Sequence, residues 1–256
     1  MNIAFISAVL PVLLLLYFIY KKDKYQREPL GKLLLTFFVG CLSVIPAAMM
    51  EGVIMPFGPD AGMFPVLSGI FNGYLVAGTS EELCKLLLLL LVIWKSPHFD
   101  EFFDGIVYAA YLSLGFACVE NIGYVLQGDD QMLTALMRGI LAVPAHFLFA
   151  VTMGYYVSLA KFDHANKRRH LWKAFLYPML LHGTYDALLM VASNLADGNE
   201  ENLVVGGLCA VLFIVFVVFD IRLWRRGLKR IKQMQERSKE QTFDRMHPFD
   251  GFTWNV

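Results

Sequence analysis

The chemistry in this 256-residue chain is concentrated in one short stretch that lies inside an apolar run. Glu81, Glu82 and Lys85 come directly before six consecutive leucines, residues 86–91. A charged group at the centre of a bilayer is costly, so residues of this kind usually serve a function. On a helix Lys85 lies three and four residues after the two glutamates and can reach either carboxylate. The glutamates themselves point about 100° apart, and we expect one to face a cavity and the other to be tied to Lys85 or to backbone.

Four further ionisable residues interrupt later apolar runs, and together with the glutamates they could activate water. These residues are Glu120, His146, His182 and Asp186. A carboxylate in a site of low dielectric suits a general base, and a histidine beside it can share the proton or orient the water. His182 and Asp186 share one helical face and could help to stabilise an oxyanion, Asp186 directly only if protonated. No serine or cysteine has an evident nucleophile setting, so the sequence favours a water nucleophile over a covalent one.

The same side chains could instead hold a divalent metal, because glutamate and histidine are competent zinc ligands. The HExxH motif is absent, and the HxxxD spacing of residues 182–186 is only permissive. The four cysteines form no CxxC pair, which argues against a thiolate zinc site and against a disulfide framework. We therefore expect no cofactor. The alternative is a divalent metal such as zinc, held by Glu81, Glu82, Glu120, His146 and His182.

The composition of the chain indicates a membrane protein. Apolar residues make up 57% of the sequence and the mean hydropathy is +0.53, which is too apolar for an ordinary soluble domain. The formal net charge is zero, so bulk charge gives no support for a nucleic-acid partner. We predict an all-α polytopic membrane protein, with one transmembrane domain over residues 1–228 and a polar cytoplasmic tail over residues 229–256 that ends as a mobile terminus. The seven predicted transmembrane helices cover about residues 2–20, 31–54, 66–94, 105–127, 132–160, 171–194 and 203–224.

Lysine and arginine are concentrated in alternate loops, which sets the expected orientation. The loops near 55–65, 126–131 and 195–202 contain neither residue and carry several acids. The positive-inside rule therefore places the N-terminus outside and the C-terminus in the cytoplasm. The basic residues cluster in the segments 21–32, 161–173 and 222–232.

Four consecutive predicted spans carry their ionisable side chains to one layer, roughly 16–22 Å from the cytoplasmic side at a helical rise of 1.5 Å per residue. That shared depth predicts one site built from four helices. Small residues such as Gly73, Gly78 and Gly115 would allow these helices to approach closely. Charged residues nearer the span ends can reach the interface, and we interpret them as structural. They are Glu51, Arg138 and Asp220.

Several motifs carry a family resemblance. Residues 81–85, EELCK, resemble the EExxK motif of the PrsW family of intramembrane proteases, and residues 116–121, FACVEN, resemble its FxxxEN motif. His146 and residues 182–186, HGTYD, resemble the later motifs of the family in the same order. The resemblance covers a motif core at about residues 75–190. The PrsW family is similar to the CAAX prenyl endopeptidases of the CPBP superfamily.

The resemblance implies a glutamate-dependent protease of the bacterial plasma membrane that acts on a membrane-protein substrate. It implies that Glu81 is the general base, and that His146 and His182 orient water or stabilise the oxyanion. Lys85 and Asn121 would support them. In the founding members of the family the cleaved protein is an anti-sigma factor, and its cleavage starts a stress-signalling cascade.

Two residues depart from the motifs of the CAAX-type enzymes. Glu120 stands where those enzymes have a histidine, so the water would be bound by two carboxylates, or by carboxylates bridged by a metal. Asp186 stands where asparagine is usual, so direct donation to an oxyanion would require a neutral acid.

Two other functions stay open at the level of sequence. A metal-dependent membrane hydrolase could use the same residues on a peptide or a lipid amide. A proton-coupled transporter could use them as a proton relay. A seven-span receptor fits the topology but has no need of three carboxylates and two histidines in one layer.

Overall fold

The computed structural model describes residues 3–197, 199 and 202–246, and it is helical with no strand in that part of the chain. The predicted all-α class is therefore confirmed. A π-helical segment, Asn72–Gly78, joins α3 to α4, and short 3-10 turns follow α2 and α7. The helices are α1 Ile3–Lys22, α2 Leu30–Ile54, α3 Pro65–Phe71, α4 Thr79–Ile93, α5 Asp104–Gln127, α6 Gln131–Ile140, α7 Ala142–Phe162, α8 Lys167–Ala196 and α9 Leu203–Met246.

Five helical stretches have the length and apolar composition to cross a bilayer. They correspond to the first, second, fourth, fifth and seventh predicted spans. The third corresponds to α3, the π-helical segment and α4 in succession, and the sixth corresponds to α8, whose apolar character is lowered by polar side chains. The five stretches are Ile3–Lys22, Leu30–Phe57, Asp104–Gln127, Gln131–Phe162 and Leu203–Met246.

Helices α5 and α7 form the centre of the molecule, and most of their side chains are buried. They pack against each other, while α1 and α2 cover α5 and α8 covers α7. Small residues allow the close crossings: a Cβ atom on Gly115 would collide with the carbonyl oxygen of Phe37 on α2.

The π-helical segment is pressed directly against α8. A Cβ atom on Gly73 would lie 2.6 Å from the backbone nitrogen of Ala187, and one on Gly183 would lie 2.9 Å from the Cα atom of Tyr74. Distances this short are reached only when both positions lack a side chain. The close approach brings the start of α4, with Glu81, beside His182 on α8.

The polar tail differs from its prediction, because α9 continues as a helix to Met246 instead of ending near residue 224. Its buried residues recur every three or four positions, so one apolar stripe runs past the predicted membrane boundary. Ser238 accepts a hydrogen bond from the backbone nitrogen of Phe103 at 2.9 Å, and Thr242 donates to Glu101 at 2.9 Å. Residues of the 229–246 segment thus contact the start of α5 and the loop before it, and residues 247–256, at the end of the predicted mobile terminus, lie outside the described part. The stripe consists of Leu223, Gly227, Ile231, Met234 and Ser238.

Candidate active site

Lys85 lies at the centre of the polar cluster. Its Nζ atom is 2.9 Å from Glu81 Oε2, 3.0 Å from Glu82 Oε1 and 3.2 Å from His146 Nδ1. The ammonium also lies 3.9 Å from the centre of the Phe116 ring, and the side chain is fully buried. Helical spacing predicts the two glutamate contacts, whereas the histidine comes from α7 and could be placed only by the fold.

The two glutamates face different surroundings. Glu82 has no exposed surface, and its Oε1 atom bonds to Lys85 and to His182 Nδ1, the latter at 2.9 Å. Its other oxygen, Oε2, is buried without a hydrogen-bond partner. Glu81 keeps 5% of its surface and lines a cavity of about 390 Å³. Both carboxylates contact Lys85, but of the two it is Glu81 that lines this cavity.

His146 connects Lys85 to Glu120. Its Nε2 atom is 2.8 Å from Glu120 Oε2, and its Nδ1 atom faces the ammonium of Lys85. An ammonium can only donate, so Nδ1 accepts and Nε2 carries the proton that is shared with Glu120. A hydrogen bond from Ser113 to the backbone oxygen of His146, at 3.0 Å, fixes the backbone of α7 at this point.

His182 bridges two carboxylates. Nδ1 faces Glu82, and Nε2 is 3.1 Å from Asp186 Oδ2 and 3.9 Å from Glu81 Oε2. Phe149 stacks on the imidazole with ring centres 4.9 Å apart. Both ring nitrogens can donate at once only in the charged imidazolium, so the arrangement is built around a histidine that donates on both sides.

Two neighbouring cavities, which share lining residues, reach this cluster. The larger is lined by Glu81, and a second, of about 260 Å³, is lined by His146 and His182. Three side chains line both of them, namely Glu120, Arg138 and Asp186. The six residues predicted as catalytic are therefore in one connected network: Glu81, Glu82, Glu120, His146, His182 and Asp186.

Two residues that the sequence analysis treats as structural lie at the cavity. Glu51, near the end of α2, lines the larger cavity, and Arg138 on α6 lines both. Both residues lie near the ends of predicted spans, where a charged side chain can reach water at the membrane interface. The sequence alone does not show that α6 lies over the site. Asp220 lines neither of these cavities. Asn121 donates to the backbone oxygen of Ala8 at 2.7 Å, so it ties α5 to α1 at the edge of the cluster.

The donor set fits a divalent metal in type and spacing. One ligand atom from each of four buried side chains lies within 4.8 Å of the other three, and glutamate with histidine is a usual zinc combination. The Oε2 atom of Glu82 lacks a partner, as expected for a potential ligand. The ammonium of Lys85 contacts three of the four ligands, so an ion between them would have to displace it. The four side chains are those of Glu81, Glu82, His146 and His182; Glu120, a fifth predicted ligand, is outside this group and hydrogen-bonds to one of its members.

A helical membrane protein that buries carboxylates and histidines around a cavity has a functional site within the bilayer. The chain belongs to the PrsW family: the family described as PrsW family intramembrane metalloprotease matches residues 28–220. It is therefore an intramembrane peptidase and a multi-pass protein of a bacterial membrane, rather than a transporter or a receptor. The family description also names a metal, so the expectation of no cofactor is not confirmed.

Curated relatives cover nearly the whole chain. Protease PrsW of Clostridioides difficile (strain 630) is 34% identical over 243 residues, which is 93% of this chain and 94% of the relative. Protease PrsW of Geobacillus kaustophilus (strain HTA426) is 36% identical over 235 residues, with 92% and 93% covered. Protease PrsW of Bacillus subtilis (strain 168) is 35% identical over 233 residues, with 90% and 95% covered. No solved structure matches the chain.

Proposed function

We propose that this protein cleaves a membrane-protein substrate with a water molecule activated by Glu81. The observation that carries this proposal is that Glu81 belongs to the buried charge network and also lines the larger cavity. Glu81 keeps 5% of its surface exposed and lines the cavity, whereas Glu82 has no exposed surface. The substrate class we favour is a single-span membrane protein such as an anti-sigma factor.

In the proposed reaction, the oxygen of water adds to the carbonyl carbon of the scissile peptide bond while its proton passes to Glu81. The carbonyl electron pair moves to oxygen and gives a tetrahedral oxyanion. When the carbon–nitrogen bond breaks, the proton passes to the leaving nitrogen, so the products are a carboxyl group and an amine. Lys85 and Glu82 have no exposed surface. In this proposal they stay in place and hold Glu81 and His182 throughout the reaction.

The remaining residues of the network have positioning roles in this proposal. Glu120 holds His146 in one tautomer through Nε2, and Asp186 fixes the orientation of the His182 ring through its Nε2 atom. Carboxylates that fix histidines from behind are a recurring feature of hydrolase sites. Both ring nitrogens of each histidine already contact a residue of the network, so in this proposal His146 or His182 orients the water by exchanging one of these contacts for it.

A metal-dependent form of the same hydrolase is the second candidate, and the compact group of four ligands favours it. Glu81, Glu82, His146 and His182 would hold the ion. A bound divalent metal supplies Lewis-acid polarisation of water and of the carbonyl group. Elemental analysis of the purified protein, with cleavage measured before and after chelation, separates the two forms. Stoichiometric zinc with chelator sensitivity supports the metal form, and full activity of metal-free protein supports the glutamate form.

We further propose that α8 and the α3–α4 stretch cross the membrane with the five more apolar stretches, which gives seven spans. Charges in their middle are tolerated because they face one another inside the bundle instead of lipid. The N-terminus then lies outside and the C-terminus lies in the cytoplasm, as the basic loops predict. To test this orientation, cysteine is introduced at residue 60 or at residue 129, one position at a time. Both positions lie in loops predicted to be external, so each cysteine should be accessible to a reagent added outside the cell.

The test of the proposed function is cleavage by Glu81→Gln, which removes the base but keeps the shape of the side chain. We expect loss of cleavage while the protein still inserts and folds. Glu236→Gln is the matched control, because Glu236 lies on α9 with 61% of its side chain exposed. Cleavage by Glu81→Gln at the wild-type rate would rule out the proposed base.

A further inference from the structure

Arg138 is held rigidly above the candidate site by three residues of α5. Its Nη2 atom lies 3.0 Å from Glu120 Oε2, and its Nε atom donates to Asn121 Oδ1 at 3.1 Å. The guanidinium also lies on the face of Tyr124, with its central carbon 3.8 Å from the ring centre. The ring contact, the ion pair with Glu120 and the hydrogen bond to Asn121 together restrict the orientation of the guanidinium.

The charge around the cavities makes Arg138 unusual. Four carboxylates line the larger cavity, and Arg138 is the only lysine or arginine lining either of the two cavities in the described part of the chain. Lys85 is no substitute, since it is fully buried and its ammonium already contacts two glutamates and a histidine. The four carboxylates belong to Glu51, Glu81, Glu120 and Asp186.

Peptide hydrolysis places negative charge on the carbonyl oxygen, and a site needs hydrogen-bond donors at that point. An ionised carboxylate only accepts hydrogen bonds, so the acids that line the cavity cannot serve there. A guanidinium has five N–H groups, and the contacts with Glu120 and Asn121 use one on Nη2 and the one on Nε. Arg138 therefore has donors left for a substrate, and it contacts the same Glu120 oxygen, Oε2, as His146 does.

We propose that Arg138 donates a hydrogen bond to the carbonyl oxygen of the scissile peptide bond and stabilises the oxyanion that forms when water adds. This inference rests on the proposed protease function. It gives α6 a purpose in the fold: this ten-residue helix, started by the Asp130 side chain, carries an arginine over the cavity. The proton transfers of the reaction are unchanged, because a guanidinium stays protonated throughout.

The test compares Arg138→Gln and Arg138→Lys with wild type in proteoliposomes. The substrate is the membrane protein that is shortened in wild-type cells but not in Glu81→Gln cells. Loss of one oxyanion donor typically lowers kcat about 10²- to 10³-fold, so we expect a fall of that size in Arg138→Gln with KM changed only a few-fold. Arg138→Lys keeps the charge but loses the planar fork, and its kcat should lie in between. Arg225→Gln, at an exposed position on α9, is the matched control.

A merely structural role for Arg138 has a different signature. If it only neutralised Glu120, then the variant with both Glu120→Gln and Arg138→Gln would cleave as well as Glu120→Gln alone, and this result would overturn the inference. An equal kcat for wild type and Arg138→Gln would also overturn it while leaving the protease function intact. Failure of the wild-type protein to cleave any membrane protein would instead reject the protease mechanism on which both proposals depend.

Discussion

The Oε1 atom of Glu82 and the Nδ1 atom of His182 are 2.9 Å apart, although a hundred residues separate them in the chain. This hydrogen bond joins α4 to α8 at the depth where Glu81 reaches the cavity. Glu82 is completely enclosed, and its carboxylate contacts His182 and Lys85, so we propose that it positions these residues and does not meet substrate. Adjacent glutamates in one motif therefore have separable roles, one facing the cavity and the other holding the site together.

The first prediction separates these roles by substitution. Glu82→Gln should destabilise the protein by about 3–5 kcal/mol, because it removes the charge from a fully buried carboxylate that contacts both Lys85 and His182. Glu81→Gln should cost less stability, since Glu81 borders the cavity and lacks the close hydrogen bond that Glu82 makes with His182, but it should lower the cleavage rate at least about 10²-fold. Apparent melting temperatures in detergent and cleavage rates give both values. Equal stability losses would contradict this division of roles.

The second prediction concerns competition between Lys85 and a metal. Lys85→Met removes the ammonium that contacts Glu81, Glu82 and His146, so these ligands become available to a cation. We expect this variant to be less stable than wild type, and to gain more thermal stability from added zinc than wild type gains. Lys239→Met, in the exposed part of α9, is the control. A larger zinc effect on wild type than on Lys85→Met would show that Lys85 does not compete for this site.

The third prediction concerns the contact between the π-helical segment and α8. A methyl group on Gly183 would collide with Tyr74, including its Cα atom. Overpacking of this kind typically costs about 1–3 kcal/mol, and it would also move His182 away from Glu82. Gly183→Ala should therefore lower both the melting temperature and the cleavage rate. Gly206→Ala is the matched control because its Cβ atom would have open space, and equal effects at the two positions would argue against the packing account.

The fourth prediction is a pH dependence that originates outside the membrane, in the loop between α1 and α2. Burial raises the pKa of Asp23 to about 6 and the pKa of Glu28 to about 7. Both values exceed the pKa of the same side chains in an unfolded chain, about 4. Between about pH 4 and about pH 7 the folded protein therefore binds more protons than the unfolded chain does. Stability is then highest at the acidic end and falls as the pH rises towards about 7.

The variant that checks this sign is Glu28→Gln, which stays neutral and keeps an oxygen to accept the hydrogen bond from Tyr108. Its melting temperature should change less between pH 5 and pH 8 than that of wild type, with about 1–3 kcal/mol of unfolding free energy involved. A wild-type protein that becomes more stable across this interval would show that the pKa shifts have the opposite sign.

Much of the site could be predicted because charge in a bilayer is rare and helical spacing is regular. The contacts of Lys85 with both glutamates follow from three- and four-residue separations, and the layer shared by Glu120, His146 and His182 follows from counting residues. The helical class follows from composition in the same way. These inferences use the local geometry of a helix and the cost of burying a charge. Both can be read from individual residues and their spacing along the chain.

Other features could not be predicted because they depend on how helices pack. Arg138 lies near a predicted span end, where a charge can reach water, and the position of α6 over the cavity is a tertiary result. The buried residues through which α9 packs against the rest of the protein are interspersed with basic and acidic residues. The polar composition of residues 229–246 therefore predicts a polar tail and does not indicate a packed helix. The π-helical turn before Glu81 arises from packing of Gly73 against Ala187, and no local sequence signal indicates it.

The central claim, that Glu81 activates water to cleave a membrane protein, is tested most directly by quantitative proteomics of membrane fractions. Cells that carry wild-type protein or Glu81→Gln as the sole copy are compared at equal levels of inserted protease. The account predicts that at least one single-span membrane protein is shortened with wild type and stays full-length with Glu81→Gln. Identical sets of shortened membrane proteins in the two strains would contradict it.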